Sequence, residues 1–293
     1  MDPVLQAFLV SWGWRADVIL VLALLAAAYI IGWWHLHRAG HSALARGSRL
    51  VCYLTGLATV YLALLSPIDS FASLLFSMHM VQHEMLTMVA VPLLLLANPL
   101  PIVLWALPRS LRRGVGGLLI REAAVRRGLW ALTLMPVTWG LYMVTFWGWH
   151  LPTAYEAALR NGLLHDLQHL SIFVAALLFW WPIINPAPRL HGHIPYVYRV
   201  IYVFPAMILP MLLVMSIAFF AKEVFYSYYT AVPRLWGLTA LEDQTAGWVL
   251  MGVWEGLTYV GLLLVLIAKT LDHEERVTRQ RESLGLVPEK NSP

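Results

Sequence analysis

Residues 74–96 read LLFSMHMVQHEMLTMVAVPLLLL, an apolar run long enough to span a bilayer, with His79 and His83 near its start. Residues 164–184, LHDLQHLSIFVAALLFWWPII, repeat the arrangement with His165 and His169. Each run closes on the same break, Asn98-Pro99 in the first and Asn185-Pro186 in the second. Residues four apart share one helical face, so each segment presents two imidazoles side by side. Polar ionisable groups are costly in hydrocarbon. Four of them in a repeated pattern call for a partner, most simply a metal ion or a haem.

The rest of the chain supports a membrane reading. Of its 293 residues, 60% are hydrophobic and 12% charged, which excludes an ordinary soluble domain. The expected fold is an all-α polytopic membrane protein with seven transmembrane helices: Val18–Trp34, Leu50–Leu65, Leu74–Leu96, Leu129–Trp147, Leu164–Ile184, Val197–Phe220 and Ala246–Ala268. Residues 1–268 form one membrane domain. Residues 269–293 form a charged cytoplasmic tail, helical at first and disordered from Pro288 to Pro293. The first residues lack a basic stretch followed by a short apolar run and a cleavage site, so they read as mature sequence.

Sixteen of the 20 Lys and Arg fall in the loops after spans 1, 3 and 5 and in the tail. The remaining four are Arg15, Arg160, Lys222 and Arg234. This asymmetry places the N-terminus outside and the C-terminus in the cytoplasm. It also accounts for the net charge of +4 without a nucleic acid, and sets the basic segment from Arg109 to Arg127 against anionic headgroups. Trp12, Trp14, Trp33, Trp34, Trp147, Trp149, Trp180 and Trp181 sit at the expected span ends, as interfacial anchors do.

With that topology His79, His83, His165 and His169 lie at the outer face. The fourth span ends at Trp149-His150-Leu151-Pro152 and brings His150 to the same level, as does Asp243-Gln244 before the last span. Imidazole suits copper, zinc, iron and nickel, and the nearby Met78, Met80, Met85 and Met88 favour Cu(I). On ligand softness copper leads zinc, with haem iron as the rival. Gln82 and Gln168 read equally as groups that orient the ligands and as interhelical hydrogen bonds.

Met207, Met211 and Met215 form a stripe on the sixth span that reads as packing before it reads as a copper path. Glu255, between Gly252 and Gly256, relays protons, lines a polar cavity or sits protonated against backbone, and the sequence does not choose among these. His35, His37, His41, His191 and His193 read as loop residues at the inner ends of spans. Cys52 is the single cysteine, which excludes an intrachain disulfide and a Cys-x-x-Cys carrier.

His79-Met80-Val81-Gln82-His83 followed by Pro92 through Asn98-Pro99 resembles the signature of the CtaG family of cytochrome c oxidase assembly factors, in its multi-spanning membrane group. Trp149-His150-Leu151-Pro152 with Tyr155 to Leu159 is similar to that family's next motif. His165 to His169 leading to Phe179-Trp180-Trp181-Pro182 is similar to the third, and Asp243-Gln244 with Gly247 and Met251 to the fourth. The likeness runs from Leu50 to Ala268. Val91 stands where a second proline is expected, and Glu255 has no counterpart in the pattern. The resemblance implies a bacterial inner-membrane protein, not an enzyme, that assists oxidase assembly by delivering copper to a haem–copper oxidase subunit.

Copper held by His79, His83, His150, His165 and His169 is the resulting expectation. The alternative is a membrane cytochrome with bis-His haem ligation. A histidine-box di-iron enzyme would need His-x-x-His-His clusters, which the sequence lacks. Sequence leaves the oligomeric state open.

Overall fold

The computed structural model describes residues 3–283 except 121, and every regular element among them is helical. In chain order these are α1 (Pro3–Val10), α2 (Ala16–Arg38), α3 (Gly47–Leu65), α4 (Pro67–Ala72), α5 (Phe76–Glu84), a π-helical turn (Met85–Ala90), α6 (Val91–Leu96), α7 (Pro99–Leu104) and α8 (Arg109–Leu118). There follow α9 (Ala124–Leu132), α10 (Met135–His150), α11 (Pro152–Arg160), α12 (Gly162–Ile184), α13 (Tyr196–Phe220), a 3₁₀ turn (Ser227–Thr230) and α14 (Ala240–Ser283). The predicted end of the tail, Pro288–Pro293, lies outside the described residues.

Among the described residues six helical stretches are long and apolar enough to cross a membrane: α2, α3, Phe76–Leu96, α12, α13 and α14. A seventh crossing exists only if α9 and α10 are counted together, and they meet at a bend of 63°. The span expected over Leu129–Trp147 is thus divided between two helices, α9 and α10, and is not one continuous helix. Thr133 turns its hydroxyl back onto the carbonyls of Leu129 and Trp130, and Pro136, in the first turn of α10, brings no amide donor to the join.

The stretch expected as one helix over Leu74–Leu96 is also broken in register. The Val91 amide reaches back to the Leu86 carbonyl, a five-residue step just before Pro92, and Thr87 bonds the His83 carbonyl at 2.9 Å. Such π insertions relieve the lost proline donor, and they often mark functional positions.

The twin segments end alike. Asn98 and Asn185 both take the left-handed conformation, φ 52° and 55°, which asparagine tolerates better than most residues. Asn98 Oδ1 also accepts from the Ala187 amide at 2.7 Å, so the two breaks are bonded to each other.

α14 packs one buried face, Asp243, Gly247, Met251, Glu255, Tyr259 and Leu263, each a turn apart, into the bundle. Aromatics fill the space around it: Phe76, Phe146, Tyr155, Tyr226, Tyr229 and Trp248 at one end, Phe179, Trp180, Tyr202 and Tyr259 further along. Trp180, expected as an interfacial anchor, is instead buried and donates to the Thr87 carbonyl at 3.1 Å. The methionine stripe packs as its structural reading expects, with Met211 and Met215 against Gly256 and Gly252.

Close backbone approach is required at Gly32, where an added Cβ would lie 1.9 Å from the Ile102 carbonyl oxygen of α7. Backbone cannot swing aside, so Gly32→Ala should destabilise the protein by about 1–3 kcal/mol or more. Gly252→Ala meets only the flexible end of Met215, at 2.2 Å. Its strain should be largely offset by the better helix propensity of alanine, worth about 1 kcal/mol. Thermal unfolding of both variants in detergent checks the contrast; equal melting temperatures would contradict it.

Candidate functional site

α5 and α12 enter the bundle side by side at the same end and bring their histidine pairs face to face. His79 and His83 are buried, and their Nε2 atoms are 2.9 Å apart. His169 is also buried, and its ring lies 5.3 Å from that of His83 and 5.8 Å from that of His79. One ligand atom from each of His79, His83 and His169 falls within 4.8 Å of the others. Imidazole–metal bonds of about 2.0–2.1 Å reach across roughly 4 Å between two ligands, so the three nitrogens lie at or just beyond the span of one ion.

The other two predicted histidines flank this trio without joining it. The ring of His165 is 5.2 Å from His79 and 4.3 Å from His169, at the half-buried rim. His150 sits deeper, 6.3 Å from His83, and its Nδ1 bonds the Phe146 carbonyl at 2.7 Å. That bond places the proton on Nδ1 and leaves the Nε2 lone pair free. Nδ1 of His79 and His83 and Nε2 of His150, His165 and His169 are all buried with no hydrogen-bond partner. Buried polar atoms are normally paired, and open imidazole nitrogens beside the facing Nε2 atoms of His79 and His83 make this cluster a candidate cation site.

The neighbouring polar groups divide by role. Gln82 donates to the Ala63 carbonyl at 2.8 Å and to Asp69 at 2.7 Å, so it ties α5 to α3 and α4. Burial pushes the Asp69 carboxyl above its ordinary value, and the Gln82 bond pulls it partly back. Gln168 is fully buried beside His79. Met80 and Met88, expected near the metal, point into the two aromatic cores instead.

Beneath the histidines a cavity of about 20 Å³ is lined by His83, His150, Glu84, Glu255, Tyr142 and Met251. It has room for about one water molecule. Sequence reading singled out Glu255 but missed Glu84, which faces the same space and has one unpartnered carboxyl oxygen.

The site is roofed and clamped by groups whose contacts with one another local sequence patterns do not reveal. Tyr155 lies 5.0 Å from His79, and its hydroxyl meets that of Tyr229 at 3.0 Å. Tyr229 continues to the Ala72 carbonyl, and Tyr226 to that of His150, both at 3.0 Å. Glu156 accepts from Ser227 Oγ at 2.8 Å, fastening the 3₁₀ turn over α11. Asp243 accepts from the amides of Phe76 and Ser77, at 2.8 and 3.2 Å, and from Ser77 Oγ at 2.6 Å. It thus caps α5, whose own N-cap residue, Leu75, has no acceptor side chain. An exposed pair between Arg15 and Asp166, at 2.5 Å, joins the start of α2 to α12 and adds little stability.

A model of the family described as cytochrome c oxidase caa3 assembly factor matches residues 27–273 of this chain. Uncharacterized proteins of Mycobacterium bovis and Mycobacterium tuberculosis are each 27% identical over 268 residues, covering 87% of this chain and 38% of the relative. One from Mycobacterium leprae is 24% identical over 279 residues, 90% of this chain and 40% of the relative. The chain therefore spans about two fifths of the length of these curated relatives. No solved structure matches it.

Proposed function

We propose a copper-handling role for this chain, which belongs to the cytochrome c oxidase caa3 assembly factor family. It holds one copper ion through His79, His83 and His169, with His165 and His150 as the entry and inner ligands, and passes it to a haem–copper oxidase subunit. Copper is cargo here and not a resident cofactor, so no bond of a substrate is made or broken by the protein itself. The observation that carries the reading is the meeting of three buried imidazole nitrogens from two helices within 4.8 Å.

The chain crosses the bacterial membrane seven times, with the bent α9–α10 pair as one crossing and the N-terminus outside. The Lys and Arg distribution supports that orientation. It sets the histidines at the outer level, where an exported copper ion and an oxidase subunit are both within reach.

Haem ligation is less well supported. A porphyrin needs a slot of several hundred Å³, whereas the space beside His83 and His150 is about 20 Å³. Metal analysis and Cu(I) titration of the purified full chain, with a reduced-minus-oxidised optical spectrum, test the reading. One copper per chain and no haem band is the expected result. A stoichiometric haem band, or copper no tighter than to detergent micelles alone, would overturn it.

A further inference from the structure

α12 carries the histidines near its start and ends at Ile184, about 22–28 Å away at 1.5 Å per residue. At that far end lies a cavity of about 810 Å³, within the range of small-molecule sites. Its wall includes Arg126, Arg127, Arg189, Arg199 and Lys269 and, among the described residues, no Asp or Glu.

Like charges gathered around one hollow repel one another, yet the fold holds several of them in place. Arg126 bridges the carbonyls of Leu119 and Arg189, at 2.9 and 2.8 Å, and so locks the α8–α9 connection to the segment after α12. Tyr196 holds the Arg199 guanidinium 5.2 Å and the Lys269 ammonium 5.8 Å from its ring. Arg199 is only 9% exposed; one guanidinium nitrogen bonds the Ile183 carbonyl at 2.5 Å, while its Nε has no partner. A buried guanidinium donor left open among cations is matched by an anion. Trp130, Ile184 and Leu190 give the same cavity an apolar side.

We propose that this cavity is a binding site for a phosphate group, separate from the histidine cluster and from copper. Planar guanidinium forks match phosphate oxygens in pairs, and five cations around one cavity, three of them held by hydrogen bonds or the Tyr196 ring, suit a group with one or two negative charges. The group is supplied either by an anionic lipid headgroup or by free phosphate.

The test uses the full chain and the double variant Arg189→Gln/Lys269→Gln. Both side chains are exposed, and neither holds a backbone carbonyl, so the fold should survive. Binding to phosphatidylcholine vesicles with and without phosphatidylglycerol, and retained lipid counted by native mass spectrometry, reads the lipid source. Thermal stabilisation by inorganic phosphate in detergent reads the free source. In whichever arm responds, binding should fall about tenfold for each cation replaced, and Arg189→Lys/Lys269→Arg should restore most of it. Equal binding by wild type and the Gln variant in both arms, or no binding in either, would overturn the proposal.

Discussion

Replacing His79 and His83 together with alanine should abolish the proposed copper binding, with at least a 100-fold loss of affinity, while leaving the protein folded. Loss of groups that only orient a metal ligand costs about 10- to 100-fold, and here two ligands go at once. Their Nε2 atoms sit 2.9 Å apart, and what remains at the centre is one buried imidazole, His169, with His165 and His150 at its margins. His169 with two flanking imidazoles does not enclose a cation as the full trio does. Stability should change far less. Each alanine leaves a small void but also removes a buried nitrogen that has no partner, and the two effects oppose each other. Copper stoichiometry and melting temperature, measured on the same sample, separate a lost site from a lost fold. Unchanged stoichiometry in the double variant would end the claim that this pair binds the metal. Single variants grade the ring: His169→Ala should approach the double variant, and His150→Ala should lose only about tenfold.

The pairing of histidines within each helix was legible because it needs only the helical repeat, which local sequence carries. The matching breaks at Asn98 and Asn185 were legible for the same reason, since an asparagine before a proline already disfavours continuing the helix. Resemblance to the assembly-factor family rested on the same local motifs, and the matching of residues 27–273 bears it out.

What stayed hidden was information held between helices. Glu84 reads as a polar neighbour of His83 until α14 brings Glu255 to the same cavity. Met80 and Met88 share the helix of the histidines, yet neither side chain is turned toward them, because the helix presents those positions to its aromatic neighbours. The bend between α9 and α10, within the expected fourth span, stayed hidden because hydropathy adds up apolar residues without asking whether they continue in one direction; Thr133 and Pro136 decide that. Asp243 was expected at the level of the histidine pairs, where it bonds the Phe76 amide, but nothing in the sequence says that it caps a helix far away in the chain.

That cap yields the second large effect: Asp243→Ala should destabilise the protein by about 3–5 kcal/mol and weaken copper binding from outside the site. The carboxylate is fully buried, accepts three hydrogen bonds from Phe76 and Ser77, and lies 3.7 Å from Arg234. Removing the acceptor strands the Phe76 and Ser77 amides and the Ser77 hydroxyl and takes the counter-charge from Arg234, which keeps its bonds to the Tyr229 and Leu74 carbonyls. For a chain of this size the melting temperature should fall by about 10 °C. The site follows because α5 is registered against α14 at two successive turns. Asp243 holds the helix start, and Gly247 leaves room for the Phe76 ring, which would lie 2.4 Å from any Cβ placed there. His79 sits one turn beyond Phe76, so a loosened start moves the imidazoles directly. Asp243→Asn keeps the shape and one acceptor oxygen but turns an amide toward donors. It should cost about 1–3 kcal/mol and show a smaller loss of copper affinity. If Asp243→Ala melts like the wild type and binds copper equally well, the cap does not hold the histidine helix, and the arrangement of the site must be fixed from the α12 side instead.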